Sequence, residues 1–265
     1  MHSVHFTSDM GEHTVVVTRV ADRQWHAVED GRVVGRGEAS RRPDGRLFLS
    51  ADAWHGPVFD QLADAMVAVL PKPLYTVVDE ADLDLTSHWE RVGFTTRRRE
   101  WEYLVPTDSR VNGLGSVSPP AGVTILAAGE AELDSLRALD LVIRDEVEAT
   151  VGWREMPAEV LSRPDGITVQ DLSMYVVAAR ADQYVGLVRV APLPRQPRIG
   201  LIAVRAGQRR RGVARALLAH ALESLHRRGI HTASADVNES NLAATALFDG
   251  AGGRRAGSNL ELVFA

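Results

Sequence analysis

Residues 204–218 read VRAGQRRRGVARALL. An apolar strand end passes through a polar loop of arginines and glycines into an amphipathic helix, so the segment reads as a strand-loop-helix corner. The first amides of a helix have no intrahelical partner, and the helix dipole puts partial positive charge at that end. Such a corner is a cradle for an anion, above all a pyrophosphate. Gly212 and Ala214 keep bulk away from the backbone, while Arg209, Arg210 and Arg211 add charge at the same spot.

Spacing narrows the ligand. A Walker loop ends in Gly-Lys-Ser/Thr, but no lysine follows Gly212, and Lys72 is the only lysine in the chain. A dinucleotide fingerprint needs three glycines as G-x-G-x-x-G, and Gly207 and Gly212 do not give that three-glycine spacing. What remains is Arg209-x-x-Gly212-x-Ala214, preceded by an apolar strand over 200–204. The helix that follows carries an apolar stripe of Val213, Leu217, Leu218, Ala221, Leu222 and Leu225, and stops at Arg227, Arg228 and Gly229. A strand over 232–237 comes next, then Asn241 and a helix to Phe248, then a last strand over 260–264.

This loop and its flanks resemble the coenzyme A loop of the GNAT superfamily of N-acetyltransferases. The order over residues 123–265 is similar to that family's: a strand at 123–126, a long helix within 130–149, strands at 173–178, 184–190 and 200–204, then helix, strand, helix, strand. The expected fold class is α/β, an α+β mixed sheet of the acyl-CoA N-acyltransferase type, in two GNAT-like domains.

Residues 1–106 show a weaker version of the pattern. Strands are expected at 25–28, 33–39 and 46–50, a helix at 59–70, a strand at 74–78, a helix at 83–92 and a strand at 101–105. Trp89, Gly93 and Phe94 before the last strand are similar to the end of a GNAT domain. The loop before the first helix, residues 50–57, holds no Arg-x-x-Gly-x-Ala. The first half therefore resembles a degenerate GNAT copy without a cofactor loop. Residues 107–122, rich in Gly, Ser and Pro with no apolar period, read as a linker to the GNAT domain at 123–265.

Composition bounds the function class. The apolar fraction of 45% is ordinary for a globular protein, and no apolar run reaches the length of a membrane span. The start lacks a basic head and apolar stretch, so a cytoplasmic protein is expected. Without cysteine there are no disulfides, thiolate metal sites or cysteine nucleophile. The nine histidines form no metal-binding spacing, so no metal is expected. Residues 1–110 carry 13 basic and 18 acidic side chains, and the rest carry 17 of each. Neither half has the charge of a nucleic-acid binder.

The resemblance implies acetyl-CoA as cosubstrate, lying between the strands at 200–204 and 232–237. Ile202, Ala203 and Val204 would flank the pantetheine arm, with the backbone of Ile202 and Val204 pairing with it. Arg209 belongs to the loop motif, and the amides of Arg210, Arg211, Gly212, Val213, Ala214 and Arg215 would hold the pyrophosphate. Asn241 and Phe248 would meet the coenzyme from the next helix. An amine of a small molecule or peptide would attack the thioester directly.

Two departures limit this. Arg198 stands near the place of the strand glutamate that serves as base in many members, and Phe248 takes the place of the tyrosine acid. The remaining acids are Asp145, Glu146 and Glu148 at the end of the first long helix, and Asp236 and Glu239 after the second strand of the pair. Asp236 and Glu239 lie closest in sequence and are the candidates for catalysis. Trp153 and Tyr175 are candidates for the acceptor wall, His220 reads as structural or exposed, and His231 could face the cleft. The competing function is a non-catalytic acyl-CoA-binding sensor or scaffold. Two halves packed as a pseudo-dimer would suit a monomer, with a homodimer as the alternative. No nucleic-acid or membrane partner is expected.

Overall fold

The computed structural model describes residues 3–5, 14–42, 44–150, 152–153, 169, 171–193 and 196–265. The chain forms two compact units, one of Met1–Arg99 with Ser258–Ala265, the other of Glu100–Gly257.

The first unit is built on strands β1 (Ser3–His5), β2 (Val16–Ala21), β3 (Gln24–Glu29), β4 (Arg32–Arg41), β5 (Leu47–Ala53) and β6 (Leu74–Asp79), with helices α1 (Gly56–Val69) and α2 (Leu83–Val92). The segments expected from residue 25 onward are present, and β1 and β2 were not anticipated. The first five strands form an antiparallel meander, and β5 runs parallel to β6, the two pairing only at Leu47↔Leu74 and Phe48↔Tyr75. Helix α1 buries Phe59, Leu62, Ala63 and Met66, spaced for one helical face, in a core shared with Trp25, Leu49, Leu74 and Trp89. Helix α2 begins where the Asp82 side chain accepts from the Leu85 amide, and ends on Gly93 in the left-handed region.

Two strands distribute unlike the chain order. The last strand of the chain, β13 (Arg254–Phe264), pairs antiparallel with β6 over Asn259–Phe264, within the first unit. There Glu261, 3% exposed, meets the guanidinium groups of Arg46, Arg97 and Arg98. A carboxylate buried this deeply needs such partners. Strand β7 (Thr95–Pro106) contributes residues 100–106 to the second unit, where they pair along the whole of β12 (Thr232–Asn238).

The second unit adds β8 (Val123–Leu126), α3 (Leu133–Glu148), β9 (Tyr175–Arg180), β10 (Gln183–Ala191), β11 (Arg198–Val204), α4 (Val213–Arg227) and α5 (Leu242–Asp249), each near its expected position. Its sheet order is β7-β12-β11-β10-β9-β8. Helix α4 fills one face with Leu217, Leu218, Ala221, Leu222 and Leu225, against Val105, Tyr103, Ala233 and Ala235. Helix α3 fills the other with Leu136, Leu139 and Ile143, against Val177, Leu187 and Leu201. Residues 107–122, expected as a linker, lie in this unit with Thr107, Asn112 and Leu114 each at most 3% exposed. The Asn112 side chain donates to the Pro106 and Thr107 carbonyls and accepts from the Leu114 amide. Gly/Ser/Pro composition excludes a periodic element there, but not burial.

Among the described residues, no helix is long and apolar enough to cross a membrane, and no group of His, Cys, Asp and Glu could hold a metal ion.

Candidate functional site

Strands β11 and β12 run parallel but share one register pair, Arg198↔Ser234, held by the Ser234 amide on the Pro197 carbonyl at 2.9 Å. Beyond that point they separate. The cause is visible in β11. Against β10, Val190 faces Ile199 and the preceding Arg189 faces Leu201, so Gly200 is an extra residue. A bulge of this kind bends its strand and breaks the pairing. Gly186 on the facing strand lets the layers close, because a Cβ there would stand 3.0 Å from the Ala203 carbonyl oxygen and 3.2 Å from Leu217 Cδ1.

The gap is a cavity of about 540 Å³. Gly200, Ile202 and Val204 line one wall, and Asp236, Val237 and Asn238 the other. Gln208, Arg209, Arg210, Gly212, Val213, Ala214 and Arg215 close one end, with Asn241, Ala244, Leu247 and Phe248 from the start and body of α5. Of the residues expected around the coenzyme, Ala203 and Arg211 do not line it, and the others do.

The loop end has the shape expected of an anion cradle. Gly212 caps α4 with φ 87°, and Arg210 also has positive φ, 62°. Only the Gly212 position belongs to a residue that tolerates this without strain. The cap has no side-chain hydrogen bond, so the first amides of α4 carry none from their own cap. Arg209 does not simply add charge: its Nε donates to the Val204 carbonyl at 3.0 Å and its Nη2 to Glu146 Oε2 at 2.9 Å. Glu146 also accepts from the Ala206 amide at 2.8 and 3.0 Å. This carboxylate, weighed in sequence as an acid near the chemistry, fastens the loop to α3.

Asn241 caps α5, its Oδ1 accepting from the Ala244 amide at 3.0 Å, which leaves its Nδ2 as a donor at the cavity. Phe248 is buried, and its ring lies 5.6 Å from that of Tyr103. The Tyr103 hydroxyl donates to Asp249 and accepts from Arg255, and Tyr103 does not line the cavity. The Tyr103 hydroxyl therefore does not stand in for the one that Phe248 lacks.

Asp236 lines the cavity, but its Oδ2 accepts from Arg198 Nη1 at 2.7 Å. Glu239 is exposed and lies outside the lining. Tyr175 sits in the α3 core, 4% exposed, where burial pushes its hydroxyl above the ordinary range. Trp153 donates from Nε1 to the Arg144 carbonyl at 2.9 Å under the Arg144 guanidinium. Neither ring lines the cavity, and residues 151 and 154–155 of the Trp153 loop lie outside the described residues. His231 is exposed and outside the lining too. Sequence reasoning missed Glu100, which lines the cavity from β7 opposite Asn238.

Residues 141–252 match the family model described as acetyltransferase (GNAT) family. Over those residues the chain is similar to that acetyltransferase family. Solved GNAT structures share its fold over both halves. A GCN5-related N-acetyltransferase from Sphaerobacter thermophilus is 17% identical, with 93% of this chain and 82% of that one covered at a TM-score of 0.65. A tandem GNAT protein from the clavulanic acid biosynthesis pathway is 14% identical, with 91% and 82% covered at a TM-score of 0.64. A GCN5-related N-acetyltransferase from Kribbella flavida is 15% identical, with 92% and 88% covered at 0.58. No curated protein matches the sequence.

In GNAT terms, β5, β6 and α1 of the first unit repeat the order of β11, β12 and α4. The helix entry differs. Helix α1 has a proline in its first two positions, which removes a donor where the cradle needs one. A Cβ at Gly56 would stand 2.7 Å from His88 Cε1, so the α2 side chain already covers that entry.

Proposed function

We propose that this protein is an acetyl-CoA-dependent N-acetyltransferase that moves an acetyl group to an amine of a small molecule or peptide. The observation that carries the reading is the conjunction of the Gly212 cradle with the bulged, splayed β11. The first amides of α4, those of Val213, Ala214 and Arg215, would hold the pyrophosphate, with Arg210 and Arg215 adding charge. The backbone of Ile202 and Val204 would pair with the pantetheine arm as a strand edge would. The Asn241 amide would reach it from α5, and Leu247 and Phe248 would shield it from water.

Acceptor amine and thioester would meet where β11 and β12 part. A lysine-type ammonium has a pKa of roughly 10.4, so exposing its lone pair at pH 7 costs about 4–5 kcal/mol. An acid of the cavity, water, or a lower pKa of the acceptor itself must supply this. Arg198 cannot, and Asp236 is engaged by it. The departing thiolate would take its proton from water, since Phe248 has none to give. We read the first unit as a degenerate GNAT copy with no coenzyme site, the protein as cytoplasmic, and its two halves as sufficient for a monomer.

The test is release of free thiol from acetyl-CoA over a panel of polyamines, aminoglycosides, amino acids and peptides. Amine-dependent release, with the acetylated product found by mass spectrometry, is the expected result. Acetyl-CoA binding without release over the whole panel would point instead to a binding protein and contradict the enzymatic reading.

A further inference from the structure

We propose that Arg189 receives a carboxylate of the acceptor, so that the amine acetylated by this protein belongs to an amino acid or a short peptide; this deepens the acetyltransferase reading and rests on it. Arg189 stands in the middle of a cross-strand row. It pairs with Tyr175 of β9 on one side and with Leu201 of β11 on the other. Directly opposed residues of paired strands point to the same face, and successive residues alternate. Val188 packs in the core under α4 and Leu187 in the core under α3, so Arg189 shares the α3 face with Tyr175 and Leu201.

The cavity reaches that face. Ile199, Gly200, Leu201 and Ile202 are consecutive on β11 and all line it, so it wraps both faces of the strand at the bulge. The start of α4 and the body of α5 line it from the α4 face. An acceptor therefore meets the donor from the α3 face, where Leu201 is part of the wall and Arg189 is the next residue in the row.

Nothing in the fold answers the charge of Arg189. Its Nη2 donates to Met174 Sδ at 3.8 Å, and the Tyr175 hydroxyl accepts a hydrogen bond from it. Its Nη1 is buried with no hydrogen-bond partner, and no ion pair joins Arg189 to a carboxylate among the described residues. Asp140, the carboxylate that acts on Tyr175, accepts from Arg144 Nε at 2.6 Å. Arg46 and Arg198, by contrast, each meet a carboxylate of the fold. A guanidinium keeps its charge at any working pH, and holding it from water without an anion costs free energy. A single guanidinium balances one carboxylate, whose plane takes two parallel N–H bonds, whereas a phosphate dianion would leave charge over.

The test does not need the natural acceptor. Coenzyme A conjugates carry a sulfur-linked acetamide arm with one to four methylenes beyond its nitrogen, ending in a carboxylate or in a carboxamide. Their affinities are compared by calorimetry. Wild-type protein is expected to bind the carboxylate form roughly tenfold more tightly at one or more arm lengths, the scale of a hydrogen bond to a charged group. Arg189→Met should fold, bring that preference to within about twofold and leave affinity for coenzyme A unchanged, since the ligand loses only this bond. Arg189→Lys should retain part of the preference. A preference that survives in Arg189→Met, or a wild type that binds coenzyme A but prefers the carboxylate at no length, overturns the assignment. Failure of Arg189→Met to fold would make the guanidinium a structural group and overturn it too. A wild type that binds no coenzyme A contradicts the donor reading and this proposal with it, a failure told apart by the coenzyme titration alone.

Discussion

Arg198 Nη1 donates to Asp236 Oδ2 at 2.7 Å, across the strands that part to form the cavity. Both residues were singled out in sequence, one as a base lost and the other as a base gained. Joined, they form a clasp at the closed end of the gap, with side chains 31% and 19% exposed. Asp236→Asn should cost about 1–2 kcal/mol of stability, the scale of a hydrogen bond between charged groups that keep some solvent. It should change acetyl-CoA affinity less than threefold. Denaturant unfolding and calorimetry read the two effects, and a tenfold loss of affinity without loss of stability would contradict the clasp.

The carboxylate of Glu146 holds the cradle loop from α3 through the Ala206 amide and Arg209. Without it, ordering residues 205–212 falls to the ligand, and binding pays that entropy. Glu146→Ala is expected to weaken acetyl-CoA binding by about tenfold, or roughly 1.4 kcal/mol. Hydrogen exchange at the loop amides should rise in parallel. Unchanged affinity with unchanged protection would show that the loop stands alone.

Much of this unit was legible in sequence because its determinants are local. The α4 stripe, the Arg-x-x-Gly-x-Ala loop and the Asn241 cap lie within 45 residues, and each follows from periodicity or helix-end chemistry. The exchange of β7 and β13 was not legible, because an apolar strand carries no label for its distant partner. Glu100 was missed for the same reason: it stands over 100 residues before the cradle, and pairing with β12 alone brings it to the cavity. The bulge at Gly200 left no signal beyond one glycine in a strand. Trp153 and Tyr175 were attractive as aromatics in the right stretch, yet packing, not spacing, decides which way such rings turn.

His220 on α4 supplies a pH dependence. Burial, with help from the nearby Arg227, pushes its imidazole below the ordinary 6.5, against a smaller opposite effect of Glu130. Its Nε2 is buried with no hydrogen-bond partner among the described residues. The unfolded chain binds this proton first as pH falls, so stability is full above 6.5 and declines from there through the lower folded value. His220→Gln should make the fall in melting temperature between pH 7 and pH 5 shallower. An identical pH profile in the variant would assign that fall to other groups.

A coenzyme held at the Gly212 cradle is what the proposed activity requires. Gly212→Glu puts a negative side chain on a position with φ 87°, at a strain of about 1–2 kcal/mol that the fold can absorb. The direct test is a calorimetric titration of acetyl-CoA into wild type and this variant, each checked by its melting curve. One equivalent per chain in wild type and none in the folded variant is the predicted result. Two equivalents per chain, or wild-type affinity in Gly212→Glu, would contradict it.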